Sequence, residues 1–357
     1  MTEQGDQRAQ TKLALGAMLI PIFFASLFAL CIIGTYHRPS PNNIKIGIVG
    51  PTAQTAPLRA VLERSAPSAF QFSQVPSVSQ ATNDVRHRHL NAALIPTASP
   101  RQPAIIIVAG ASGRLVATAA ETLARSVTTA QGTQLVVQDA RPLSPGDEIG
   151  VGIFLFMIVC TICGYLAATL LLTEAPNLVP ARRYVILAAV AVLVPAIAYL
   201  IGGLGFGTYT GSVGTIFAFI AVAALYTFVI GLVTRLLQVL FGPPALFLSL
   251  AIFIFLNIPS LGATYTSTML PPFWRSLNHF WLGAETVNAE RSILYFHGSG
   301  VGHDLMRLFA WAAVAVIVLI LPISRKLQHR HEHSASTGDH ESSGSAVPQT
   351  ANHPSHA

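Results

Sequence analysis

Few residues of this chain have the types and spacing that chemistry needs. Cys160 and Cys163 have the C-x-x-C spacing that places two thiols on one face of a helix. A redox pair needs a thiol of lowered pKa in a polar setting, whereas both cysteines lie inside a long apolar stretch. We therefore interpret them as small residues of a helical core. Cys31 also lies in an apolar stretch, so the sequence predicts no disulfide framework.

Two further motifs could bind ligands but lack the rest of a site. The run GASG at 110–113 could cradle a phosphate, but no G-x-G-x-x-G and no following lysine accompany it. We expect an ordinary turn from a strand into a helix. The tract H-R-H-E-H at 329–333 could bind a metal ion. The Ser, Gly, Thr and Pro residues around it fix no ligand geometry, so we predict a disordered tail without a metal site.

The sequence contains no recognisable catalytic centre. H-E-x-x-H and G-x-S-x-G are both absent. A P-loop needs Gly-Lys-Ser or Gly-Lys-Thr, but the three lysines follow Thr11, Ile44 and Arg325. We therefore predict that the chain is not an enzyme and carries no cofactor. Energy for uphill transport would have to come from another subunit.

The elements that would position any site are mostly apolar. The chain is 52% hydrophobic and 10% charged, whereas soluble domains carry about 25% charged residues. The apolar residues are concentrated at 13–34 and 150–324, and residues 35–149 have the composition of a water-exposed domain. The net charge of +6 is scattered, so we expect no nucleic-acid partner. This pattern indicates a membrane protein with one soluble insertion.

The hydropathy pattern predicts an α-helical polytopic membrane protein with six transmembrane helices. The predicted spans are residues 13–34, 150–173, 184–205, 212–234, 244–262 and 305–324. Most are about as long as the 20 residues that cross a 30 Å hydrocarbon core, and the fifth is the shortest. The first is longer than a signal-peptide core and ends without an A-x-A-like site, so we predict an uncleaved span. The polar remainder is a tail at 1–12, an outer segment at 263–304 and a tail at 325–357.

Basic residues in the short loops predict the orientation of the chain. They are Arg8, Lys12, Arg182, Arg183, Arg235, Arg325, Lys326 and Arg330. With six spans, all of them fall on one side, so we predict that both termini are cytoplasmic and that residues 35–149 lie outside. Most of the basic residues are arginine, which is typical of a GC-rich genome. We therefore expect the plasma membrane of a bacterium.

The soluble insertion alternates strands with helices, which predicts an extracytoplasmic α/β domain between helices 1 and 2. The predicted strands are residues 44–49, 69–75, 92–96, 104–110 and 133–138, and the predicted helices are residues 57–64, 79–89 and 112–130. Ser77 and Gln80 have the spacing of a capping box at the second helix. We expect a small sandwich whose strands are partly parallel.

The predicted spans contain one internal proline, clustered glycines and almost no ionisable residues, and these features bear on helix bending and on ion coupling. Pro195 lies inside the third span and predicts a kink, because proline removes one helical hydrogen bond. Glycines crowd the outer ends of the third and fourth spans, where they allow close packing or form a hinge. Central positions of the spans hold essentially no ionisable residue, which argues against an ion-coupled pump or channel.

The outer segment before the last span is rich in aromatic residues. Residues 270–287 predict one short amphipathic helix opened by two prolines. The aromatic candidates for its apolar face are Trp274, Phe280 and Trp281, and the candidate polar contacts are Glu285, Glu290 and Arg291. Such a helix would cap the exit of a transport pathway as an outer gate. The alternative is an interfacial anchor that steadies the last span.

Three stretches, at residues 79–96, 137–156 and 270–300, give the chain a family resemblance. Together with the order of spans, the chain resembles the ABC-2-type transporter permease superfamily, in its phage-infection-protein-like branch. The resemblance implies a homodimer or paired permease that works with a separate nucleotide-binding ATPase subunit. It also implies contacts with membrane lipids and export of a lipid-like, peptide or drug-like substrate, or of a polymer.

In such permeases the cytoplasmic link between spans two and three presses on the ATPase. Here that link is residues 173–183, with Glu174, Arg182 and Arg183 as its exposed charges. The two arginines could instead serve only to set the topology. The function we expect is the permease subunit of an ATP-driven exporter. The alternative is a membrane-anchored, receptor-like surface protein whose outer domain binds a ligand or cell-envelope component without transport.

Overall fold

The computed structural model describes residues 2–97, 99 and 101–320. The histidine-rich tail at 325–357 and its basic residues lie outside this part of the chain, as does the end of the last predicted span.

A five-stranded mixed sheet forms the centre of the insertion. Its strands are β1 (Ile44–Val49), β2 (Phe70–Val75), β3 (Ala92–Ile95), β4 (Ala104–Val108) and β5 (Leu135–Asp139). The strand order is β2-β1-β3-β4-β5, in which only the β3–β4 pair is antiparallel. Every predicted strand forms within two residues of its predicted ends, because β-branched runs between turn residues are a local signal.

Helices cover both faces of this sheet. They are α2 (Thr52–Ser65), α3 (Val78–Arg86) and α4 (Arg114–Gln131). Helices α2 and α4 pack on one face, through Leu62 and Ala120 among others, and α3 packs on the other through Val85. Ser77 caps α3 as predicted, since its hydroxyl accepts a hydrogen bond from the amide of Gln80 at 3.2 Å. The predicted start of α2 at residue 57 is wrong by five residues, because the helix begins directly after Pro51.

Five helices are long and apolar enough to cross a membrane. They are Gln10–Tyr36 within α1 (Thr2–Tyr36), α5 (Gly152–Thr173), Pro180–Gly205, α7 (Val213–Phe241) and α12 (Val301–Ile320). Within Pro180–Gly205, α6 (Pro180–Tyr199) continues as a π-helical stretch at Leu200–Gly205. The chain is therefore a helical membrane protein in which the α/β domain lies between the first two of these helices.

The fifth predicted span forms a shorter apolar helix, Ala245–Ser260. It consists of α8 (Ala245–Leu250), a π-helical stretch (Ala251–Asn257) and α9 (Ile258–Ser260). At about 1.5 Å per residue it is about 24 Å long, less than a hydrocarbon core of about 30 Å. Whether it crosses as the sixth span therefore stays a prediction.

Pro195 lies buried inside α6, which runs on without a break to Tyr199. The widened π-helical stretch begins directly afterwards. Such stretches are a common site of helix distortion. The kink predicted at Pro195 itself stays a prediction.

The aromatic outer segment departs most from the sequence prediction. The single amphipathic helix predicted over residues 270–287 is wrong, because the chain forms α10 (Pro272–Asn278) and α11 (Leu282–Tyr295). Trp281 lies between them with an extended backbone. Its carbonyl oxygen accepts hydrogen bonds from the amides of Ala284 and Glu285, which are the first of α11. A helix-length apolar pattern cannot reveal such a break, since the pattern continues on both sides of it.

Candidate functional site

Helix α11 lies in the centre of the protein. It packs against α5, α7 and α12 on the bundle side and against the turn at Gly110–Ser112 of the α/β domain. None of its residues is exposed, and most are fully buried. An amphipathic helix at a membrane surface would keep one face exposed. This helix is instead a buried element shared by the bundle and the domain.

Helix α11 carries three buried ionisable residues. They are Glu285, Glu290 and Arg291, which are 2%, 0% and 4% exposed. The sequence argument against ion coupling considered only the predicted spans, so it does not hold for the folded interior. A helix between two spans places charged groups where the spans themselves have none.

Glu290 is the most isolated of these charged groups. Neither of its carboxyl oxygens has a hydrogen-bond partner within the described residues. It lies within electrostatic range of Cys160 on α5 and Tyr226 on α7. Cys160 is about 12 Å along α5 from Gly152, so the carboxyl group lies well inside the bundle. Burial raises the pKa of Glu290 well above its usual range.

A hydrogen-bonded cluster of neutral groups lies in the same region. The hydroxyl groups of Tyr226 and Thr161 are 2.6 Å apart, and Asn257 donates from Nδ2 to the Tyr226 oxygen at 2.8 Å. All three side chains are buried. A Cβ atom on Gly283 would overlap Asn257 Oδ1, so α11 approaches this cluster as closely as a glycine allows. Four helices therefore meet at this polar cluster: α5, α7, α11 and the apolar helix Ala245–Ser260.

Arg291 follows Glu290 in the chain but binds elsewhere. Its Nη2 donates to the carbonyl oxygens of Gly262 at 3.2 Å and Ala263 at 2.6 Å. These carbonyls belong to the loop that follows α9. Burial, and the nearby positive charge of Arg88, lower the pKa of Arg291 to about 9. Arg291 thus holds α11 against the end of the apolar helix Ala245–Ser260.

Arg88 connects the α/β domain to the same helix. Its Nη1 donates to Ser292 Oγ at 2.8 Å and its Nη2 to Asn288 Oδ1 at 3.2 Å. The guanidinium carbon also lies 5.5 Å from the centre of the Phe296 ring. Phe296 itself is buried in the core beneath α3 of the domain. The end of α11 is therefore part of the domain's own core.

Further contacts close the same interface. Arg141 of the domain lies 3.0 Å from His297 Nε2, and Ser144 lies 3.3 Å from the Tyr295 hydroxyl. Gly113, in the GASG turn, has a Cβ position that Thr266 would block. The turn is a strand-to-helix connection, as predicted, and it is buried against the outer segment.

Glu285 belongs to a separate ionic cluster at the start of α12. It accepts a hydrogen bond from Arg307 Nη1. Ligand atoms of Glu285, His303 and Asp304 lie within 4.8 Å of one another and could hold a metal ion. Arg307 already supplies a positive charge to Glu285 there. The geometry is that of an ion-pair network at the junction of α11 and α12.

The three predicted aromatic gate residues do not share one face. Trp274 is buried in a cluster with Phe255 and Cys31. The ring of Trp281 instead meets that of Trp311 on α12 edge to face, with centroids 6.0 Å apart. Phe280 is exposed. The structure therefore separates these residues, because the helix break at Trp281 redirects the chain.

The predicted coupling loop is a tight turn between α5 and α6. Glu174 and Arg182 are exposed, but the expectation that Arg183 is exposed is wrong. Its Nη2 donates to the carbonyls of Pro176 at 3.0 Å and Leu178 at 3.3 Å. Arg183 thus stabilises the turn from inside, which leaves Glu174 and Arg182 as its surface charges.

The sequence did not single out several central residues. Asn257 lies at the end of an apolar run, and a polar residue in such a run often forms hydrogen bonds between helices, which could have indicated its role. Tyr226 and Thr161 carry no signal that would separate them from core residues. Arg88 carries none either, because its partners on α11 are 200 and 204 residues away in sequence.

Comparison of the chain with known proteins found no matching family model, no similar curated protein and no similar solved structure. The function is therefore inferred from the geometry of α11 and its neighbours and from the pattern of the sequence.

Proposed function

We propose that this chain is the permease subunit of an ATP-driven, ABC-2-type exporter. A separate ATPase subunit would supply the energy, and the permease would act as a homodimer or a pair. The proposal places the chain in the plasma membrane of a bacterium, with residues 35–149 outside and both termini cytoplasmic. The sequence pattern and the arrangement of helices around α11 support it.

The observation that carries the proposal is the position of α11. A broken helical segment before the last span is buried among α5, α7 and α12 and is also joined to the outer domain. A short packed helix can shift between two discrete arrangements while its own backbone hydrogen bonds stay intact. Movement of α11 would open or close the bundle at its outer end. This is the arrangement that an exporter's outer gate requires.

The same interface favours a permease over an anchored receptor. A receptor needs only a tether between its ligand-binding domain and the membrane. Here Met269 and Tyr265 of the outer segment pack into one face of the domain, and Phe296 is buried in the other. The domain is thus built around residues of the helical part, which supports a role in the movement of the bundle.

A groove at the other end of the bundle supports an amphipathic substrate. It has a volume of about 500 Å³ and lies between α6, α7 and α12. Its walls are mostly apolar and include Phe228, Leu232 and Leu319, while Arg183 and Arg235 add positive charge. Under the proposed orientation this end is cytoplasmic. A lipid-like or drug-like molecule with an anionic end fits these walls.

Affinity purification tests the ATPase partnership. The full chain is purified in mild detergent and its partners are identified by mass spectrometry, with Arg182→Glu as the test variant. Arg101→Glu is the matched control, because Arg101 is exposed on the α/β domain. We expect an ATPase with a P-loop to be recovered with the unmodified chain and the control, and to be depleted with Arg182→Glu. Recovery of the chain alone at several detergent strengths would contradict the proposal.

A further inference from the structure

The buried side chain of Glu290 has no role in the proposed export function. An ionised carboxylate that is buried without a cation or hydrogen-bond donors costs several kcal/mol. Glu290 is 0% exposed, and neither oxygen has a partner within the described part of the chain. The side chain must therefore be neutralised in this packed arrangement.

The groups of neighbouring elements within electrostatic range of Glu290 do not supply a counter-charge. They are Cys160 on α5, Tyr226 on α7 and Tyr209 in the connection before α7. Thiol and phenol groups of this kind are neutral at pH 7. They offer no cation to a carboxylate.

The nearby cations make their hydrogen bonds elsewhere. On its own helix, the positive charge of Arg291 favours the ionised form of Glu290, but burial of Glu290 outweighs this attraction, and Arg291 donates its hydrogen bonds to the carbonyls of Gly262 and Ala263. On α12, Arg307 binds Glu285. Arg88 donates its hydrogen bonds to Ser292 and Asn288, and Asp304 lies near Glu285 in the cluster at the start of α12.

We infer that Glu290 is a proton-binding site, occupied by a proton while α11 is packed against α5 and α7. When α11 separates from these helices, water reaches the carboxyl group and accepts its proton, which leaves a solvated carboxylate. Closing the bundle requires that a proton be taken up again. Opening and proton release are thus linked, whichever subunit supplies the energy.

Infrared spectroscopy of the full chain tests the bound proton. A protonated carboxyl group has a C=O stretch that a carboxylate lacks, and ¹³C-labelled glutamate shifts it away from any aspartate signal. At neutral pH we expect a labelled band in the unmodified chain that is absent from Glu290→Gln. Glu148→Gln is the control, because Glu148 is exposed, and it should keep the band. Absence of the band from the unmodified chain, or its full retention in Glu290→Gln, would overturn the inference.

A second variant covers the case in which Glu290→Gln does not fold. Glu285 and Glu290 are both buried, so Glu285→Gln separates their signals. A labelled band that survives in Glu285→Gln supports protonated Glu290. A band lost in that variant belongs to Glu285 and contradicts the inference.

Thiol labelling of Cys160 tests the link to opening. Cys160 is buried within electrostatic range of Glu290, and Cys31 and Cys163 can be replaced by serine so that it reacts alone. Opening releases one proton, so the open fraction depends on pH. Between the pKa of Glu290 in the open state and its higher pKa in the closed state, the open fraction should rise about tenfold per pH unit. We therefore expect the labelling rate to rise about tenfold more per pH unit with Glu290 than with Glu290→Gln. Equal slopes would show that opening and the proton are not linked.

Discussion

Arg88 Nη1 donates a hydrogen bond to Ser292 Oγ at 2.8 Å, across 204 residues of sequence. The contact joins the loop after α3 of the α/β domain to a helix buried in the membrane bundle. Arg88 has a φ of 65°, so its backbone is held in the left-handed region that arginine seldom adopts. An unusual local backbone conformation therefore holds this polar contact between the domain and α11.

Removal of this guanidinium should loosen the domain from the bundle. Arg88→Asn suits the left-handed backbone but loses the hydrogen bonds to Ser292 and Asn288, so we expect a loss on the order of 2 kcal/mol. Thermal unfolding in detergent and limited proteolysis of the domain measure it. Arg86→Gln is the matched control, because Arg86 is exposed two residues earlier. Equal effects of both variants would show that the contact is not stabilising.

Gly283 should not tolerate a methyl group. Gly283→Ala places a Cβ atom in overlap with Asn257 Oδ1 and Leu261, so we expect a loss of about 1–3 kcal/mol from overpacking. Gly16→Ala is the control, since nothing lies within 4 Å of its Cβ position inside α1. Alanine favours a helix over glycine, so the control should be neutral or more stable. A stabilised Gly283→Ala would mean that α11 does not pack closely against Asn257.

The two neighbouring aromatic residues of α10 should differ sharply. Trp274 is 8% exposed and Phe273 is 62% exposed. Trp274→Ala leaves a cavity among Phe255 and Leu270, so we expect a loss of about 3–5 kcal/mol. Phe273→Ala should change the free energy of unfolding little. Thermal unfolding measures both, and a larger effect at Phe273 would contradict the packing.

Asp147 should control the start of α5. Its Oδ1 accepts the amides of Val151 at 2.8 Å and Gly152 at 2.9 Å. Asp147→Ala should cost about 1 kcal/mol, whereas Asp147→Asn keeps the cap. A comparison of thermal unfolding midpoints measures both effects. A substitution to alanine without effect would show that the cap is not needed.

Asp147 should also contribute a pH dependence. Burial raises its pKa, although the backbone hydrogen bonds oppose the shift. The folded state then binds the proton more tightly than the unfolded state. This contribution to stability is complete below the ordinary carboxyl pKa and is lost as the pH rises through the raised value. The component should be absent from Asp147→Asn and present in Glu148→Gln, in unfolding midpoints measured across the acidic range.

Local patterns were enough for much of the fold. The strands and most helices of the domain were predicted close to their observed ends, because each depends on the periodicity and composition of a few neighbouring residues. The long apolar helices form where they were predicted, although α7 ends at Phe241 and not at residue 234. The Ser77 cap was predicted for the same reason, since it involves residues three positions apart. The sequence by itself thus determined a helical membrane protein with an inserted α/β domain.

Only the tertiary structure decided where the charged residues of α11 lie. Hydropathy counts residues along the chain, and by that count Glu290 and Arg291 belong to a polar segment between spans. Their burial depends on distant partners: Arg291 needs the carbonyls at Gly262 and Ala263, and the end of the helix needs Arg88. Such contacts offset the cost of burying polar groups only after the chain has folded. No local pattern records them, so the centre of the candidate site could not be predicted from the sequence.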